Sequence, residues 1–104
     1  MTQEELLKRI KDLLREAHGE RLQGLVLFGS EARGESGLES DIDLLVLLKG
    51  PVELWKDIRK NVAAVYDLQL EIERPIHAMP TDAEEFWAGK FSLYRTVQKE
   101  GIFA

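Results

Sequence analysis

The sequence predicts an α/β domain of the α+β kind, a small mixed β-sheet flanked by helices, on three observations. A short continuous apolar run, Leu25 to Phe28, and a second segment, Ile42 to Leu48, apolar but for Asp43, have the length and make-up of buried strands. An amphipathic helical repeat precedes the first run, and a broader one follows the second. Glycine, serine and proline gather between these segments rather than inside them.

The first helix is expected from Glu4 to Ala17, where Leu6, Leu7, Ile10, Leu13, Leu14 and Ala17 recur at helical spacing. Thr2 is placed to cap it, with Glu5 completing a capping box, and His18-Gly19 closes it. The strand Leu25 to Phe28 ends at Gly29. The stretch to Ser40, rich in glycine, serine and charge, reads as a loop or a short helix followed by a loop.

The second strand, Ile42 to Leu48, stops at Lys49-Gly50-Pro51, and Pro51 suits the first turn of a helix. That helix carries Val52, Leu54, Trp55, Ile58, Val62, Ala63, Val65 and Tyr66 on a broad apolar face and should cross the sheet. Leu68, Leu70 and Ile72 then alternate with Gln69, Glu71 and Glu73, the pattern of a half-exposed strand broken near Pro75 and resumed by Ile76 to Met79. Thr81 with Glu84 forms a second capping box for a final helical region running from Phe86 to Val97 and ending near Gly101.

At 104 residues the chain reads as one domain, 1–104, with a single core. With 44% hydrophobic and 32% charged residues it belongs with folding globular chains, not disordered ones. It has no cysteine, which excludes disulfides, zinc–thiolate sites and thiol nucleophiles and suits a reducing cytoplasm. The opening residues are charged throughout, unlike a secretory signal, and no segment is apolar for long enough to span a membrane. A net charge of −5 argues against broad binding to nucleic acid through its phosphates.

The chemistry gathers in two short motifs. Gly29-Ser30, at the end of a buried strand and opening a turn, can direct backbone N–H groups and a hydroxyl toward phosphate oxygens. Asp41 and Asp43, two apart at the mouth of the next strand, project side by side while Ile42 and Leu44 enter the core. Adjacent carboxylates repel unless a cation lies between them, and hard oxygen donors suit Mg²⁺. A magnesium-bound nucleoside triphosphate satisfies both motifs at once. The metal would polarise the phosphoryl oxygens and hold the leaving pyrophosphate, the logic of nucleotidyl transfer.

Gly29-Ser30 followed by Asp41-x-Asp43 resembles the signature of the DNA polymerase β-like nucleotidyltransferase superfamily. Ala32-Arg33-Gly34-Glu35 with Ser40 resembles its minimal nucleotidyltransferase branch. The likeness is strong from Leu25 to Val46 and looser elsewhere. It implies a polymerase β-like fold, triphosphate contacts from Gly29 and Ser30, metal binding by Asp41 and Asp43, and a place for Arg33 near the same phosphates. It also implies AMP transfer from ATP to an acceptor hydroxyl, and a partnership in which the chain is the antitoxin of a small helical HEPN ribonuclease.

The family carries a third carboxylate on the strand after the crossover helix, and here the sequence departs from the pattern. His77 stands where that acid belongs, while Glu71 and Glu73 share its face only if one regular strand runs through Pro75. Three readings stay open: His77 is the base, Glu73 or Glu71 reaches in, or the third site is lost. In the last case the chain would be a binding module that neutralises its partner by contact.

Overall fold

A computed structural model describes residues 1–34 and 40–104, so Glu35, the last residue of the Ala32-Arg33-Gly34-Glu35 stretch, lies outside the described residues. Helix α1 (Gln3–His18) starts as its sequence requires, with Thr2 Oγ1 accepting from the Glu5 N–H at 3.1 Å and lying 3.1 Å from Glu5 Oε1. Its buried face holds Leu6, Leu7, Ile10 and Leu14, and Gly19 ends it at φ 62° with its N–H donating to the Arg15 carbonyl. A 3-10 turn, Gly19–Arg21, leads into strand β1 (Leu22–Phe28), which begins earlier than the apolar run because Leu22 is buried as well. Strand β2 (Ile42–Leu48) lies antiparallel to it, with Phe28 opposite Asp43.

Two expectations fail in the segment that follows. Helix α2 (Leu54–Ile72) starts beyond Pro51 and runs straight through Leu68, Leu70 and Ile72, so no strand precedes Pro75. The alternation there is coincidental. Val65, Leu68 and Ile72 also fit a helical period and pack into the core, whereas Leu70 points outward and is 58% exposed. Strand β3 (Ile76–Asp82) pairs in parallel with β2, setting Ile42 against Ile76 and Asp43 against His77.

The second capping box is displaced by one residue. Thr81 belongs to β3, and Asp82 caps helix α3 (Ala83–Trp87) by accepting from the Glu85 N–H at 3.0 Å. The final helical region is two helices, α3 and α4 (Ser92–Glu100), followed by a two-residue strand β4 (Ile102–Phe103) that pairs antiparallel with Val26 and Leu27. The mixed sheet thus has the order β3-β2-β1-β4.

Successive β2 side chains face opposite sides of this sheet. Ile42, Leu44, Val46 and Leu48 pack with Leu14 of α1 and with Val65 and Leu68 of α2, while Leu45 and Leu47 pack with Phe86 of α3 and Val97 of α4. By the same parity Asp43 lies on the α3–α4 face, at the sheet end beyond the cover those helices give.

Polar locks hold the α1–α2 layer in register. Arg21 makes a two-pronged ion pair with Asp57, at 3.0 and 3.1 Å, and also donates to the carbonyls of Lys49 and Pro51. His18, expected simply to end a helix, is buried with Nε2 2.6 Å from Asn61 Oδ1, and Asn61 Nδ2 donates to the Ala78 carbonyl at 2.9 Å. Asn61 Oδ1 is therefore an acceptor, which assigns the donated proton to His18 Nε2. None of the helices described is long and apolar enough to cross a membrane.

Candidate active site

The site is built where β1 leaves the sheet and β2 and β3 enter it. β1 ends at Phe28, and Gly29 turns the chain with φ 77°. The turn is closed by the Arg33 N–H donating to the Gly29 carbonyl at 3.2 Å and the Gly34 N–H to the Glu31 carbonyl at 3.2 Å. A turn closed in this way sets its opening amides ahead of its own hydrogen bonds, the arrangement by which a helix start favours anions.

Gly29 and Asp43 touch. A Cβ built on Gly29 would stand 2.8 Å from Asp43 Oδ2, too close for any real side chain, and the positive φ would strain an L residue independently. The positive φ favours glycine, and the absent side chain is what lets the carboxylate lie against the turn, since a methyl there would push it aside. On the other flank, Asp41 Oδ2 lies 3.0 Å from His77 Nε2, with the two side chains 56% and 58% exposed. Sequence position alone suggested that His77 replaces an acid; the parallel register sets it across from Asp43 and bonds it to Asp41.

Glu71 and Glu73 do not share a strand with His77. Glu71 lies on α2, where Arg9 of α1 holds it at 2.6 Å and draws its carboxyl below the usual carboxylate range, by hydrogen bond first and charge second. Glu73 is the left-handed cap residue after α2, with φ 56°. The strand that would have aimed either of them at the acid pair is the end of a helix.

Sequence reading missed Arg74. Its Nη2 lies 2.6 Å from Glu31 Oε2, just past the glycine turn, and its Nε donates to the Ser40 carbonyl at 2.9 Å, just before the acids. The Arg74 and Glu31 side chains are only 15% and 12% exposed. One guanidinium therefore ties the two motifs together, and the planar fork of arginine suits that double reach. Beside the turn, Phe28, Gly29 and Arg33 face Leu93, Thr96 and Glu100 of α4 across a cleft of about 140 Å³.

Two carboxylates at a solvent-open sheet end, one against a turn and one against a histidine, form an oxygen-rich donor set suited to a hard cation that takes its remaining ligands from phosphate and water. Among the described residues no three His, Asp or Glu side chains cluster into a self-sufficient metal cage.

Gly29→Ala should weaken binding of an ATP analogue by tenfold or more, about 1.4 kcal/mol, because the methyl displaces Asp43. Gly34→Ala is the matched control: its φ of 72° imposes similar strain, but nothing lies within 4 Å of the added Cβ. Calorimetric titration of both variants checks this, and equal losses would mean that contact with Asp43 is irrelevant.

Comparison with known proteins gives a consistent result. The model of the nucleotidyltransferase domain family matches residues 7–103. A candidate protein adenylyltransferase of Methanocaldococcus jannaschii, MJ0604, is 32% identical over 103 residues, covering 97% of this chain and 96% of its own length. A solved toxin–antitoxin structure with AMP-PNP superposes with a TM-score of 0.64 at 22% identity, over 93% of this chain and 70% of that one. A candidate nucleotidyltransferase from Sulfolobus solfataricus superposes with a TM-score of 0.55 at 25% identity, over 97% of this chain and 80% of its own.

Proposed function

The chain belongs to the nucleotidyltransferase domain family, and from that premise we propose that it transfers AMP from ATP to a hydroxyl on a partner protein, with Mg²⁺ held by Asp41 and Asp43. The observation that carries this reading is the close approach of the Gly29 turn and the Asp43 carboxylate, the two groups to which we assign phosphate and metal binding. The protein acceptor is supported by the name of the M. jannaschii relative. A helical HEPN-type partner is proposed on the sequence resemblance.

In the proposed reaction the acceptor oxygen attacks the α-phosphorus, the α–β bond breaks and pyrophosphate leaves. Ser30 and the amides opening the turn hold the β- and γ-phosphates, and Arg33 adds charge at the same edge. Asp41 and Asp43 would hold the magnesium, which when bound would supply charge neutralisation at the phosphate oxygens and the departing pyrophosphate. His77, with Nε2 occupied by Asp41, presents Nδ1 as the atom that takes the acceptor's proton. We assign no catalytic step to Glu73.

The alternative, neutralisation of the partner by contact alone, draws on the histidine that stands across from Asp43. One experiment separates the two. The protein is incubated with Mg²⁺, the product of the neighbouring gene, and ATP labelled at either the α- or the γ-phosphate. Label should pass to the partner from the α position only, with release of pyrophosphate. A partner that is silenced but unlabelled establishes the contact mode, and transfer from the γ position would make the chain a kinase.

A further inference from the structure

The outward side of α2 carries apolar residues that the fold does not use. Trp55, Val62, Tyr66 and Leu70 are 71%, 56%, 52% and 58% exposed, while Asp57, Asn61, Val65 and Leu68 on the inner side are buried. At about 100° per residue the four exposed side chains fall within roughly 80° of the helix circumference, forming one stripe. At about 1.5 Å per residue that stripe is roughly 22 Å long. It continues onto the sheet, because Ile58 and Val62 border a recess of about 230 Å³ with Ala78, Met79 and Pro80 of β3. β3 is an edge strand, and Met79 is 49% exposed. Isolated apolar residues are ordinary on a protein surface, but a continuous patch of this kind marks a binding face.

The charges along α2 say what covers it. The N-terminal half carries Lys56, Arg59 and Lys60, and the C-terminal half carries Asp67, with Glu71 already engaged by Arg9 of α1. An antiparallel copy of the same helix brings the cations of one against the acids of the other and opposes the two helix dipoles favourably; a parallel copy sets like charges together. A face that complements itself in this way meets the requirement of a two-fold interface.

We infer that two copies of this chain pair through α2, antiparallel about a two-fold axis near Val62 and Ala63. Trp55 of one copy then packs on Leu70 of the second, Arg59 faces Asp67 twice over, and Val62 lies at the centre. The recess at the edge of this face also borders His77, but the pairing does not rest on the nucleotidyl-transfer reading, since it is argued from the α2 stripe and its charges alone.

Sedimentation velocity over a wide concentration range provides the test. The wild type should dimerise, and Val62→Glu, at an exposed position, should be monomeric with an unchanged circular dichroism spectrum and melting temperature. Arg59→Asp should weaken the dimer about tenfold or more, by placing acid against acid at two symmetric points. Asp67→Arg combined with Arg59→Asp should restore the wild-type affinity. A wild type that stays monomeric throughout, a dimer that survives Val62→Glu, or a double variant no better than Arg59→Asp alone each overturns the inference. A monomer whose stripe variants lose a different protein partner overturns it as well and assigns the face to that partner.

Discussion

Asp43→Asn is expected to slow AMP transfer by about 10²- to 10³-fold, and Asp41→Asn by a similar factor, with little change in folding stability. The fold should survive because neither carboxylate supports it. Among the described residues Asp41 makes the exposed contact with His77, of the class that adds at most about 1 kcal/mol, and Asp43 rests against Gly29. Asparagine keeps the shape and removes the charge, so the loss measures the carboxylate's part in holding the metal and the phosphates. The two replacements should differ in one respect. Asp41 also fixes His77, so His77→Ala combined with Asp41→Asn should cost less than the product of the single effects, as happens when two groups act as a unit. Single-turnover transfer assays together with thermal melts check this. Full activity in Asp43→Asn would remove the basis for the proposed chemistry.

The largest effect on stability is expected far from the acids, at Asp57. Its side chain is 1% exposed, it receives two hydrogen bonds from Arg21, and it accepts a third from the Glu53 N–H at 3.0 Å. Asp57→Ala strands the guanidinium and the N–H, and removing one member of a buried pair costs about 3–5 kcal/mol. Arg21 is 32% exposed and recovers some hydration, so the expected loss is at the lower end, about 3 kcal/mol. The pH dependence has a definite sign. Hydrogen bonds from Arg21, then the Glu53 N–H and the nearby positive charge, hold the Asp57 carboxyl below the usual range against the opposing effect of burial. A carboxyl depressed on folding contributes fully above its unfolded value near pH 4 and loses that contribution as pH falls through the lower folded value. Urea unfolding should therefore show a wide gap between wild type and variant at neutral pH that narrows in acid. A gap that stays constant would mean that packing, not charge, dominates at this position.

The parts of the molecule that could be read from sequence are those where one physical rule acts alone. Leu25 to Phe28 and Leu44 to Leu48 are apolar on both faces because helices cover both faces of the sheet. Thr2 and Glu5 announce a helix start within a few residues, with no help from distant partners. The end of α2 was misread because Leu68, Leu70 and Ile72 satisfy a period of two and include a helical pair, and only the packing of Leu68 and Ile72 decides between them. β4 has two residues and no pattern of its own; its pairing with β1 makes it a strand. The Gly29 and Asp43 motifs were legible because their contact needs particular residue types at fixed positions. Arg74 was not, since an arginine before a proline carries no signal until Glu31 and Ser40 are brought beside it.

The bridging arginine couples the two sides of the candidate cleft. Because one side chain bonds Glu31 after Gly29 and the Ser40 carbonyl before Asp41, its loss frees both at once. Arg74→Ala is therefore expected to slacken two stretches that lie apart in sequence, and faster amide hydrogen exchange at both would register that shared dependence.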